Sequence, residues 1–126
     1  IRNKLNLAKN YRLKLSKFDF IILPGVYGNV QNSYWLYTIR LSKDSLKYKD
    51  ILIQKMQSSG IEARPIFYPM NMMKPYQKYI QKNEKFPVSE LLFNSSISLP
   101  SAYDVKLKDI TTVSNFLKNF KNLIDK

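Results

Sequence analysis

Between Ser33 and Leu41 the chain alternates in a way that only a strand satisfies. Trp35, Tyr37, Ile39 and Leu41 fall on one face, and Tyr34, Leu36, Thr38 and Arg40 on the other. The first face is expected to pack on helices, and the second to be partly covered by another surface. Ser42–Ser59 reads as the next helix. Asp44 or Ser45 is its expected N-cap, and Tyr48, Leu52 and Met56 repeat at i+4 with Ile51 and Ile53 widening the stripe. Gly60 is the stop signal. Ile61–Phe67 is then a second strand, joined to the first through a crossover helix. A third short strand, Ile97–Leu99, ends at Pro100, and an apolar run at Phe18–Leu23 ends at a Pro24-Gly25 turn.

Helices are expected around this frame at Ile1–Ser16, Lys74–Gln81, Pro87–Asn94 and Asp104–Ile124. In the last, Ile110, Val113, Leu117, Phe120 and Ile124 form the buried stripe, and Asp109 sits in the first turn, where the helix dipole favours a carboxylate. The order describes one α+β domain: a small antiparallel or mixed sheet with helices on one face, the other face left for a partner domain.

The stretch Gly60–Tyr76, GIEARPIFYPMNMMKPY, is the chemical focus. It sets one cation, Arg64, in a short apolar strand. The loop that follows is stiffened by Pro65, Pro69 and Pro75 and crowded with Phe67, Tyr68, Met70, Met72, Met73 and Tyr76. A guanidinium among that much apolar surface needs a partner. Two partners fit: another protein group, which makes a structural ion pair, or the anionic group of a ligand.

Composition narrows the chemistry. The formal net charge is +12, from 21 Lys and Arg against 9 Asp and Glu. Only four of the basic residues are Arg, the rest are Lys, and they are spread along the chain. Specific phosphate or base readout favours the arginine fork, and no recognition motif is present. Weak, salt-sensitive contact with polyanions is expected, and sequence-specific nucleic-acid binding is not. With no His, the chain has no histidine acid–base pair, and with no Cys it has no disulfide or thiolate metal site. No glycine-rich phosphate loop exists, and no apolar run is long enough to cross a membrane. The first residue is Ile rather than Met, which points to a fragment, a processed product or a trimmed form.

Four segments, in order, carry a family resemblance: SYWLYTIRL at Ser33–Leu41, GIEARPIFYP leading to KPY at Gly60–Tyr76, FPVSE at Phe86–Glu90, and SISLPSAYDV at Ser96–Val105. Together they resemble the C-terminal small domain of the DegT/DnrJ/StrS family of aminotransferases, enzymes that depend on pyridoxal 5'-phosphate (PLP) and act on nucleotide-linked keto sugars. The resemblance implies the small-domain fold of fold-type I transferases over residues 1–126, with residues 1–16 ending the interdomain helix. It places the cofactor-anchoring lysine and its acidic partner in a large domain outside this chain. No catalytic or cofactor-binding residue is therefore assigned here. PLP is expected in the parent enzyme and not on this chain alone.

The small domain would supply substrate contacts: Arg64 to an anionic group, Phe67 and Tyr68 stacked on a sugar or base, and Asn71 hydrogen-bonded to a hydroxyl. Asn71 is also a departure, because the family often has His there. The implied partners are the large domain, a second subunit of a homodimer and a nucleotide-sugar substrate, with no membrane and a cytoplasmic setting. The implied role is sugar biosynthesis for cell surfaces or secondary metabolites. A different class of function stays open beside it: a free-standing basic module that binds an anionic partner.

Overall fold

A computed structural model describes residues 1–125. Helix α1 (Arg2–Leu15) leads to strand β1 (Ile21–Ile22), then to β2 (Tyr37–Leu41) and α2 (Lys49–Ser58). β3 (Arg64–Pro65), α3 (Lys74–Gln77), α4 (Pro87–Ser95), β4 (Ser96–Leu99) and α5 (Leu107–Ile124) complete the order. The sheet runs β1-β2-β4-β3, and every neighbouring pair is antiparallel. β2 and β3 are thus parallel to each other, joined by α2, with β4 inserted between them: a split β-α-β unit. The α+β expectation holds, and the sheet is purely antiparallel in its pairing.

Register sorts the side chains. Tyr37 lies opposite Leu99 and Ile39 opposite Ile97, and all four are buried against the helices. One residue out of phase, Thr38 lies opposite Ser98 and Arg40 opposite Ser96, so these occupy the other face. Arg64 pairs with Ser98 and Ile22 with Arg40, and both join that second face. No helix covers it.

The helical layer is held by the expected stripes. Ile110, Val113, Leu117 and Phe120 of α5 meet Leu7, Ala8, Tyr11 and Leu15 of α1 and Leu52 and Met56 of α2 in one core. Ile1, Ile51 and Leu123 are exposed. Ser114 Oγ donates to the Lys14 carbonyl at 3.2 Å and ties α5 to α1. Asp109 accepts from the Lys106 N–H at 2.8 Å, which satisfies an orphan donor at the start of α5. Gly60 ends α2 as expected: its φ is +75°, its N–H reaches the Gln57 carbonyl at 3.0 Å, and the Ile61 N–H reaches Met56 at 2.9 Å. That pair of bonds is the Schellman motif, with Ile61 and Met56 both buried as its apolar contact.

Four boundaries differ from the sequence expectation. The first helix turn after β2 is a 3-10 segment, Lys43–Tyr48, capped at Ser42 rather than at Asp44 or Ser45. Ser42 is still tied to the sheet, its N–H bonded to the Phe20 carbonyl at 2.8 Å, so the chain tightens before it can enter α2. β3 covers only Arg64–Pro65 of the expected Ile61–Phe67, because proline has no N–H to continue the ladder. α3 stops at Gln77. The next turns close by i→i−3 bonds, Tyr79 N–H to Tyr76 and Ile80 N–H to Gln77.

The fourth difference matters most. β2 begins at Tyr37, not Ser33. Asn32 Oδ1 accepts from the Tyr34 N–H at 2.8 Å, and Tyr34 takes a positive φ of 49°. This turn breaks the alternation. Tyr34 swings into the core and stacks on Tyr37 at 6.0 Å, while Trp35 is thrown out to 67% exposure. Trp35 does not pack on the helices with Tyr37, Ile39 and Leu41.

Candidate functional site

The uncovered sheet face holds a cleft of about 620 Å³. Its floor is Thr38, Ser96 and Ser98, and its walls come from Trp35 and Leu36 before β2, Arg64 to Phe67 at β3, and Leu92 of α4. A second hollow of about 450 Å³ shares Thr38, Ser96 and Leu92 and reaches Arg40 and Tyr27. The two make a trough with one arginine at each end. A larger hollow of about 650 Å³ lies between α2 and α5, but its lining is ordinary helix surface with Lys55 as the only charge.

Arg64 and Phe67 both line the first cleft. Arg64 is not buried among apolar groups. Its side chain is 71% exposed, and Nη2 pairs with Glu62, itself 65% exposed. Burial therefore does not force a partner on Arg64, contrary to the expectation from its apolar neighbours, although Glu62 does pair with it. Such an exposed pair contributes about 0–1 kcal/mol, so an incoming anion can compete for the guanidinium at little cost. The edge position explains the exposure: β3 is the last strand, and its side chain on the open face meets water.

Tyr68 and Asn71 do not line the cleft. Tyr68 packs edge-on against Phe93 of α4 at 5.1 Å, and Asn71 Oδ1 accepts from Ser89 Oγ of α4 at 3.4 Å. They fasten the loop after β3 to α4. That helix is fixed in turn by Lys49, a buried cation. Its Nζ donates to the Phe93 carbonyl at 2.8 Å and lies 4.6 Å from the centre of the Phe93 ring. A cation at a helix C-terminus also meets the negative end of the dipole.

Trp35 is the wall residue that strand periodicity misplaced. It stacks on Phe67 with ring centres 6.0 Å apart and 17° between planes. Its backbone is held from behind: Lys4 Nζ of α1 donates to the Trp35 carbonyl at 2.9 Å and to the Ser101 carbonyl. Asn32, two residues before Tyr34, was the available signal, since Asx turns break strands. The hydroxyl floor was also legible, as Ser96 and Ser98 alternate with Ile97 and Leu99. Deeper in, the Tyr37 hydroxyl is buried with no hydrogen-bond partner among the described residues, and burial pushes its pKa from 10.0 up to about 12. Tyr11, stacked on it at 4.6 Å, is raised for the same reason and donates to the Pro100 carbonyl at 2.9 Å.

The model of the DegT/DnrJ/EryC1/StrS aminotransferase family matches residues 1–118. This chain belongs to that family. A GDP-perosamine synthase of Vibrio cholerae is 29% identical over 124 residues, 98% of this chain and 33% of its own length. A GDP-perosamine synthase of Caulobacter vibrioides is 29% identical over 104 residues, 82% of this chain and 28% of its own length. Among solved structures, the aminotransferase TlmJ of Streptoalloteichus hindustanus superposes with a TM-score of 0.85 at 17% identity, covering 100% of this chain and 33% of that one. PseC of Helicobacter pylori, an aminotransferase of pseudoaminic acid biosynthesis, gives 0.83 at 18% identity, covering 96% of this chain and 33% of that one. At such identities the structures speak for the fold, which is the α+β small-domain expectation. The chain spans about a third of the length of these relatives.

The residues described here do not fit PLP attachment. No lysine lines the cleft, buried Lys49 is committed to the Phe93 carbonyl, and Lys4 to two carbonyls. Among the described residues no group of three or more His, Cys, Asp or Glu is placed to hold a metal ion, and no helix is long and apolar enough to cross a membrane.

Proposed function

We propose that this chain is the C-terminal small domain of a PLP-dependent aminotransferase acting on a nucleotide-linked keto sugar, inactive without its large domain. The observation that carries this reading is the family match over residues 1–118, joined to an uncovered sheet face that presents Arg64 and Phe67 in one cleft. The large domain would face that cleft, supply the lysine and hold the cofactor. A homodimer in the cytoplasm, making an amino sugar for a surface polysaccharide or secondary metabolite, completes the reading. GDP-linked sugars are the first to test, because the curated relatives are GDP-perosamine synthases.

Arg64 is the residue on this chain with the clearest role. A charge-assisted bond to a phosphate is worth about 1.5–3 kcal/mol, so Arg64→Ala lowers kcat/KM by roughly one to two orders of magnitude in the enzyme complete with its large domain. Its exposed pair with Glu62 contributes little to folding, so the unfolding midpoint stays nearly where it was. Arg64→Lys restores part of the activity, since an ammonium keeps the charge but lacks the fork. The assay is transamination of a GDP-linked keto sugar beside a thermal melt. An unchanged kcat/KM refutes the role of Arg64, and absence of transamination on GDP-, UDP- and dTDP-linked keto sugars alike refutes the function.

A further inference from the structure

A sheet face made to bury an apolar partner carries aliphatic side chains, because a hydroxyl taken from water without a partner is costly. The floor of this cleft is instead Thr38, Ser96 and Ser98. Thr38 Oγ1 and Ser98 Oγ share a bond of 3.2 Å; Ser96 and Ser98 are buried, and Thr38 is the half-buried hydroxyl of the floor. The wall above is the opposite. Trp35, the only tryptophan of the chain, and Phe67, 72% exposed, are stacked but slipped, which leaves part of each ring face uncovered. The Arg64 guanidinium opens onto the same cleft. A flat aromatic wall, a guanidinium and a hydroxyl floor match the three parts of a nucleotide: base, phosphate and sugar hydroxyls. The volume of about 620 Å³ is that of a small-molecule site.

We propose that Trp35 and Phe67 form the wall on which the nucleobase of the substrate stacks, while Arg64 takes its phosphate. This rests on the reading above and adds a base-recognition site with Trp35 as its centre. Stacking and phosphate binding separate by probe. Free GDP carries base and phosphates; inorganic pyrophosphate carries phosphates alone.

The experiment measures inhibition of the complete enzyme by each probe, and KM for the nucleotide-linked keto sugar. Trp35→Leu and Phe67→Leu are each expected to raise the inhibition constant of GDP and the KM about tenfold, the order of one base–aromatic stack, with kcat within about twofold and pyrophosphate inhibition unchanged. Trp35→Phe keeps a ring and recovers most of the loss, which separates stacking from a general loss of fold. Arg64→Ala weakens GDP and pyrophosphate together. An active enzyme that GDP does not inhibit overturns the proposal. So does a Trp35→Leu enzyme whose GDP constant is unchanged, as when the large domain covers the pair, or one that weakens GDP and pyrophosphate equally. In those cases the aminotransferase reading survives; it falls separately if no nucleotide-linked keto sugar is transaminated.

Discussion

Ser101 sets where β2 begins, and Ser101→Ala should be among the most damaging one-atom changes in the chain. Its buried hydroxyl accepts from the Tyr37 N–H at 2.8 Å and donates to the Leu99 carbonyl at 2.6 Å. It stands in for the next rung of the β2–β4 ladder where the chain turns away at Tyr34 to Leu36. Alanine removes both bonds and leaves a buried N–H without a partner. Two bonds at about 0.5–1.5 kcal/mol each, or one stranded donor at about 1–3 kcal/mol, both lead to a loss of about 1–3 kcal/mol. For a domain of this size 1 kcal/mol moves the midpoint by roughly 4 °C, so Tm should fall by about 4–12 °C. The assay is thermal and urea unfolding followed by far-UV circular dichroism. Ser98→Ala is the control, since its hydroxyl shares only the 3.2 Å bond with Thr38 on the open face, and it should cost about 1 kcal/mol or less. A Ser101→Ala midpoint within 2 °C of the parent would mean that the Tyr37 N–H finds another acceptor and that Ser101 does not fix the start of β2.

Tyr37→Phe should stabilise the domain by about 1 kcal/mol, because it deletes a buried hydroxyl that has no partner; a lower urea midpoint would show that the hydroxyl is satisfied after all. The same hydroxyl predicts a pH effect: its pKa is raised from 10.0 to about 12, so its neutral form contributes stability that is fully present below pH 10 and lost as pH rises through 12. Tyr37→Phe should therefore lose stability less steeply than the parent between those values, and parallel urea-midpoint curves would contradict this. Gly60→Ala should cost about 1–2 kcal/mol from backbone strain alone, since φ is +75° and an added Cβ meets nothing within 4 Å; an unchanged melt would mean that the turn relaxes.

What the sequence made legible follows the range of the interaction concerned. Elements fixed by local periodicity came through: the α5 stripe, the Gly60 stop and the strand Tyr37–Leu41 all rest on contacts that recur every two or three to four residues. The resemblance carried the fold and the family. The cleft divides along the same line. Arg64 and Phe67 line one cleft because Arg64 lies in β3, an edge strand, and Phe67 just beyond it, and pattern alone marks an edge with a proline. Tyr68 and Asn71 read as site residues because they sit in the same loop, but their partners, Phe93 and Ser89, are on a helix about twenty residues away, which no local pattern reveals. Trp35 was placed on the wrong face for a related reason. Alternation predicts a face only while the ladder is regular, and three contacts end it: the Asn32 turn, the Lys4 bond from α1 and the Ser101 bond from beyond β4. Two of these come from residues at opposite ends of the chain. The same contacts that hide Trp35 from a period-two reading also turn it toward Phe67. The break in the pattern and the aromatic wall of the cleft therefore have one physical cause, and loosening Ser101 should disturb both.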